Sequence, residues 1–144
     1  MTQFTEKLDP DEADIEAVRL PLMANLEQMG REIGYRPYSI LLSDHPHPGG
    51  PVTGGLYGYV LFEWLFIQYV SVPEALRGQG VGSQLMAKAE SWARSEGLGG
   101  LWLDTFAFQA RPFYEKLGFT VFGEIIDHPR GSARYFLKKP LDAA

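Results

Sequence analysis

Residues 77–82 read Arg-Gly-Gln-Gly-Val-Gly, after a run of apolar residues and before an amphipathic one. A glycine loop between a strand and a helix offers backbone N–H groups that no helical carbonyl accepts, beside the positive end of the helix dipole. Glycine lets an anion approach the backbone closely, and Arg77 adds a fixed positive charge. The chemistry suited to this arrangement is a pyrophosphate cradle. A plain glycine-rich turn is the bland alternative. A Walker A loop needs Lys then Ser or Thr after the last glycine, and Ser83-Gln84 stands there instead. The dinucleotide fingerprint is half met by Gly78-x-Gly80-x-x-Ser83, with Asp104 near the ribose-binding position, but its third glycine is missing.

The loop must be held by the elements around it. Trp64–Val72 is almost continuously apolar and reads as a strand covered on both faces. After the loop, Val81, Leu85, Ala89, Trp92 and Ala93 fall on one helical face, with Gln84, Lys88, Ser91 and Ser95 opposite, and Gly97 ends the helix. Leu101–Thr105 reads as the next strand, so Trp64 to Thr105 forms one βαβ crossover with parallel strands. Ala110–Leu117 reads as a helix stopped by Gly118. Thr120–Ile126 and Arg134–Lys138 read as strands joined by the loop Asp127–Ala133. Upstream, Tyr38–Ser43 and Val52–Phe62 read as strands separated by the Pro/Gly turn His45–Pro51. Gln3–Leu8 reads as a short first strand. Asp9, Pro10 and Glu12 then mark a helix start, which Pro21 should break or kink before a second amphipathic segment runs to Ile33 and stops at Gly34. The fold class is α/β: a mixed, mostly antiparallel sheet flanked by helices, in a single domain over residues 1–144. A doubly wound sheet cannot be built from one crossover followed by a hairpin.

Composition narrows the function classes. A 144-residue chain, 45% hydrophobic and 22% charged, buries a core without staples. It holds no cysteine, which excludes a disulfide frame, a thiolate nucleophile and a Cys-liganded zinc. Net charge is −5 with no basic block, which disfavours nucleic acid and leans towards a cationic small molecule. No apolar run is long enough to span a bilayer and the acidic N-terminus does not read as a signal peptide, so a soluble, cytoplasmic protein is expected. The oligomeric state is left open, a homodimer included. His45 and His47 read as a solvated turn, and no metal is expected. Tyr57, Tyr59 and Tyr69 either line a pocket or pack within the sheet.

Two motifs in order, Arg77-x-x-Gly80-x-Gly82 and Ala110-x-x-Phe113-Tyr114-Glu-Lys-Leu-Gly118-Phe119, resemble the GNAT N-acetyltransferase superfamily. The stretches Leu103–Ala110 and Arg134–Lys139 are similar to its small bacterial-type members. The resemblance implies a GNAT-like sheet and the transfer of an acetyl group from acetyl-CoA to a primary amine of a small molecule. Without a cysteine the attack would be direct. A non-catalytic acyl-CoA-binding module is the alternative, and nicotinamide binding a more distant one.

The resemblance also assigns roles. Arg77, Gly78, Gln79, Gly80, Val81, Gly82 and Ser83 would bind the pyrophosphate. Val70, Ser71 and Val72 would offer backbone groups to the pantetheine arm, and Phe113 would line the cofactor. The thioester would lie where this strand splays from the one holding Leu101–Thr105. Ala107 stands where many members carry Asn, and Gln109 is the substitute contact. Tyr114 would protonate the departing thiolate. For the base that takes the amine proton, Asp104 ranks first, with Glu63, Glu124 and His128 behind it and a water relay as the alternative. The acceptor would meet the Leu20–Tyr38 region and the Asp127–Ala133 loop.

Overall fold

Asp11, two residues beyond the expected cap, starts the first helix. Its carboxylate accepts from the Asp14 backbone, and the Asp14 side chain accepts in return from the Asp11 N–H, a reciprocal capping box. The computed structural model describes residues 1–142. Its contacts divide the chain into two units, Met1–Ile33 and Gly34–Ala144, each described by itself.

The first unit holds one helix, α1 (Glu12–Gln28). The expected break at Pro21 does not occur. The helix continues through it, giving up the hydrogen bond that proline cannot donate, because both of its ends are independently capped. It also stops earlier than expected. Gly30, at φ +69°, lets the Gly30 and Arg31 N–H groups bond back to Glu27 and Leu26, so Ile33 lies outside it. The strand expected at Gln3–Leu8 is absent: that segment has no partner strand, and an unpaired extended segment has no ladder to hold it.

The second unit is built on a six-stranded sheet, β1 (Arg36–Leu42), β2 (Gly54–Leu61), β3 (Trp64–Ser71), β4 (Gly100–Phe106), β5 (Thr120–Ile126) and β6 (Ala133–Pro140), in the order β1-β2-β3-β4-β6-β5. Only the β3–β4 pair is parallel, and helix α2 (Val81–Ser95) crosses between those strands. Helix α3 (Arg111–Lys116) connects β4 to β5. The mixed sheet with one crossover is the architecture expected, and it leaves no place for a doubly wound nucleotide fold.

The core lies between one sheet face and α2. Leu56, Val60, Leu65, Ile67, Leu101, Leu103 and Leu137 meet Leu85, Met86, Ala89 and Ala93. Gly97 and Gly118 end α2 and α3 with the same paired backbone bonds that Gly30 uses in α1. Strand β3 is not covered on both faces, contrary to its composition. Leu65 and Ile67 are buried, while Trp64 and Phe66 are half-buried on the other face. Phe66 packs there against Tyr59 and Trp102, with ring centroids 5.4 and 4.3 Å away. Aromatic neighbours, rather than burial, account for the unbroken apolar run.

Two irregularities shape the site. Tyr57 pairs with Tyr69 and Gly58 with Ile67, so Gln68 is an extra, unpaired residue in β3. The β3–β4 ladder also stops at Ile67–Leu103, although β3 runs on to Ser71 and β4 to Phe106. The two strands therefore part just where the bulge begins.

Candidate active site

The loop before α2 is shaped by two left-handed glycines, Gly78 at φ +77° and Gly80 at φ +76°. A Cβ added to either would meet no atom within 4 Å, so the space beside the backbone is open. Gly80 is the N-cap and brings no side-chain acceptor. The first helical bond runs from Gln84 N–H to the Gly80 carbonyl, which leaves the N–H groups of Val81, Gly82 and Ser83 without helical acceptors. No acidic residue occupies this first turn. The loop is braced from within, because Arg77 Nε donates to the Val72 carbonyl at 3.3 Å and Gln79 Nε2 to the Ala75 carbonyl at 3.1 Å. Gln79 thus folds back onto the short turn Glu74–Leu76. Gly82 has a packing role: its missing Cβ would lie 3.4 Å from Phe113 Cζ, so it seats α2 on α3.

Val70 and Val72 turn their side chains to the core, and Ser71 is exposed. Beyond Ile67 the β3 backbone is no longer paired with β4. The glycine loop, the end of β3 and the opening between β3 and β4 are consecutive along the chain.

Tyr114 is half-buried on α3, edge-on to Phe113 and Phe119 at 5.1 and 6.0 Å between centroids. Its hydroxyl makes no hydrogen bond to another described residue. Burial, and after it the negative charge of Asp104, push the phenol above its ordinary value. The group stays protonated into the alkaline range.

Asp104 is less free than its position in the sequence suggests. Its Oδ1 lies 3.0 Å from Arg134 Nε and 2.9 Å from Nη2. The guanidinium also lies over Phe106 and Phe136, at 5.5 and 5.2 Å, and its Nη1 is 3.4 Å from His128 Nε2. Arginine can only donate, so His128 Nε2 is the acceptor in any hydrogen bond there. Gln109 is exposed and braces the turn after β4, its Oε1 accepting from the Phe106 N–H at 3.1 Å. Asp127 Oδ1 accepts from the Gly131 N–H, closing the β5–β6 loop. Glu63 lies in the β2–β3 turn with Phe62, both at positive φ, at the end of β3 away from the splay. That turn carries none of the glycine or asparagine such geometry favours, although the break between the two expected strands falls at Glu63.

The clamp that Arg134 places on Asp104 and the bulge at Gln68 have no signature in the sequence. A lone arginine on a strand has no signature, and a bulge interrupts no hydrophobic pattern when both flanks are apolar. Among the described residues no cluster of His, Asp or Glu could hold a metal ion, and no helix is long and apolar enough to cross a membrane.

This strand–loop–helix beside a splayed parallel pair is matched by known proteins. The family model described as the acetyltransferase (GNAT) family matches residues 27–119. An acetyltransferase of Agrobacterium fabrum is 39% identical over 133 residues, 90% of this chain and 94% of the relative. The blasticidin-S acetyltransferase of Streptomyces morookaense is 40% identical over 93 residues, 64% of this chain and 68% of the relative. Among solved structures, an Agrobacterium tumefaciens protein superposes with a TM-score of 0.89 at 34% identity, covering 97% of this chain and 100% of that one. A Bacillus anthracis protein crystallised with acetyl coenzyme A is 25% identical, with a TM-score of 0.58 over 74% of this chain and 62% of that one. The chain belongs to the GNAT family, and it is an acetyltransferase.

Proposed function

We propose that this enzyme moves the acetyl group of acetyl-CoA to a primary amine of a small molecule by direct attack. The observation that carries this reading is the continuity of three features: unaccepted N–H groups at the start of α2, open space beside Gly78 and Gly80, and a β3–β4 ladder that ends at Ile67–Leu103. They suit a pyrophosphate, its approach to the backbone and an extended thioester arm respectively, running back along the chain from α2 to β3. The acetyl-CoA-bound Bacillus anthracis relative and the blasticidin-S relative support the donor and a small-molecule acceptor respectively.

In this reading the N–H groups of the Arg77–Ser83 loop hold the pyrophosphate, and the backbone of Val70–Val72 holds the pantetheine. Phe113 supports the loop through Gly82. The amine nitrogen attacks the thioester carbon, the C–S bond breaks, and the sulfur takes its proton from the Tyr114 hydroxyl. Asp104, fixed to Arg134, acts on Tyr114 through its charge, and water takes the amine proton and returns one to the Tyr114 phenolate, which restores the phenol. The Gln109 NH₂ is the substitute cofactor contact. We assign the reaction to the cytoplasm.

The test is release of free CoA thiol on mixing acetyl-CoA with primary amines. The chain has no cysteine of its own to raise the background. Direct attack predicts intersecting double-reciprocal lines. Parallel lines, the mark of a covalent acetyl-enzyme, would overturn it.

A further inference from the structure

The bulge that opens the site also re-aims one side chain. Leu65 and Ile67 face the core, and strict alternation would send Tyr69 there as well. The extra residue Gln68 reverses the alternation, so Val70 packs against the core and Tyr69 emerges on the opposite face. There it stands across from Tyr57, ring centroids 6.2 Å apart and planes 27° from parallel. Tyr59 follows on the same face of β2, with the ring of Tyr35 5.8 Å from it. Gln68 Nε2 donates to the Tyr69 hydroxyl at 3.3 Å. The rings of Tyr35, Tyr59, Tyr57 and Tyr69 thus neighbour one another in turn, with the Gln68 amide against the last of them. Tyr69 is 62% exposed and Tyr35 53%, so neither ring is spent on the core.

We propose that this tyrosine platform, Tyr35, Tyr57, Tyr59 and Tyr69 with Gln68, binds the body of the acceptor, and that the acceptor is an amine carrying a planar, N–H-rich cation of the guanidinium type. Flat ring faces attract such a cation, and phenol oxygens accept from its in-plane N–H groups. The net charge of −5 has the matching sign. Tyr69 and Gln68 lie on the stretch of β3 that has left β4, and Tyr57 faces Tyr69 from β2, so a cation seated between these two rings has its amine beside the opening. The inference rests on the reading of that opening as the thioester site.

The experiment compares (4-aminobutyl)guanidine, 1,4-diaminobutane and butylamine as acceptors. These separate a planar cation from a compact cation and from no second charge. Acetyl-CoA affinity is measured alongside by calorimetry. The guanidine should lead in kcat/KM by about tenfold. Tyr69→Leu and Tyr57→Leu should each remove most of that lead while leaving acetyl-CoA affinity unchanged. Equal rates for the three amines, or a lead that survives both substitutions, overturns the platform and leaves acetyl transfer standing. Binding of the guanidine and of butylamine is also measured directly, by tyrosine fluorescence. If no amine is acetylated, preferential binding of the guanidine that is lost in Tyr69→Leu supports the platform, and indifferent binding overturns it. Failure to bind acetyl-CoA at all counts against the donor site instead.

Discussion

The negative charge of Asp104, on β4, helps hold the phenol of Tyr114, on α3, in its protonated form. Neither group needs to touch the other for this to matter. Burial, the larger cause, and the carboxylate together keep the phenol neutral and make it a weaker acid than a thiol of about 8.5, so proton transfer to a departing sulfur depends on positioning. Tyr114→Phe removes the donor and almost no volume. We expect kcat to fall about 10²–10⁴-fold, while acetyl-CoA binding changes by no more than about 1 kcal/mol. Steady-state kinetics with calorimetry separates the two, and an unchanged kcat reduces Tyr114 to a packing residue.

The same relationship gives a pH prediction with a definite sign. In the proposed reaction the active form is the neutral phenol, so kcat should fall on the alkaline side as Tyr114 ionises, above the ordinary tyrosine value of about 10. Asp104→Asn removes a charge that opposes ionisation and leaves Arg134 uncompensated, which favours the phenolate further. The alkaline limb should therefore move to lower pH. A limb that stays in place, with an acidic limb lost instead, would return Asp104 to the role of general base.

Much of this site was legible because its parts are local. The glycine loop, the following helix and the Phe113-Tyr114 helix each carry their signal within a few residues. The elements that failed depend on partners distant in sequence. Gln3–Leu8 has strand-like residues but no strand to pair with, and Pro21 is outvoted by capping at Asp11 and Gly30. The bulge at Gln68 exists only relative to β2, and the clamp on Asp104 comes from Arg134, thirty residues on. Strict alternation from Leu65 and Ile67 would therefore turn Tyr69 to the core, and chain position alone makes Asp104 look available.

Gly80 and Gly97 form a matched pair for separating ligand space from backbone strain. Both are left-handed, at φ +76° and +69°, and neither would bring a Cβ within 4 Å of another atom. An alanine at either should cost about 1–2 kcal/mol through backbone strain. Gly80→Val should add loss of acetyl-CoA-dependent thermal stabilisation, because its side chain would fill the space beside the unaccepted N–H groups. Gly97→Ala should keep that stabilisation. Equal ligand response in the two variants would move the cradle elsewhere.

Gly58 tests the bulge itself. A Cβ there would lie 2.1 Å from the Phe66 carbonyl oxygen and 3.1 Å from Ile67 Cα, both backbone atoms that a rotamer change cannot move. Gly58→Ala should therefore cost about 3 kcal/mol or more. Urea unfolding measures this, and an unchanged midpoint would mean that β2 and β3 do not approach so closely. Any folded population should also lose activity, since shifting β3 at this point moves the end of its ladder with β4.

Away from the active site, Glu90 on α2 is held by Lys139 of β6, Nζ to Oε1 2.5 Å, and by Arg94 at 3.3 Å. Lys139 also donates to the Leu117 carbonyl at the end of α3, so one ammonium ties β6 to both helices. Burial pushes the Glu90 carboxyl up, but the two cations outweigh it and hold the group below its usual value. The folded protein therefore binds this proton less readily than the unfolded chain. The resulting stability is present above the unfolded value of about 4.3 and is lost as pH falls through the lower, folded one. Glu90→Gln should cost about 1 kcal/mol at pH 7, the pair being partly shielded from solvent, and almost nothing near pH 2. Urea unfolding of both proteins at the two pH values measures the difference. A cost that does not change with pH would assign Glu90 a packing role rather than an electrostatic one.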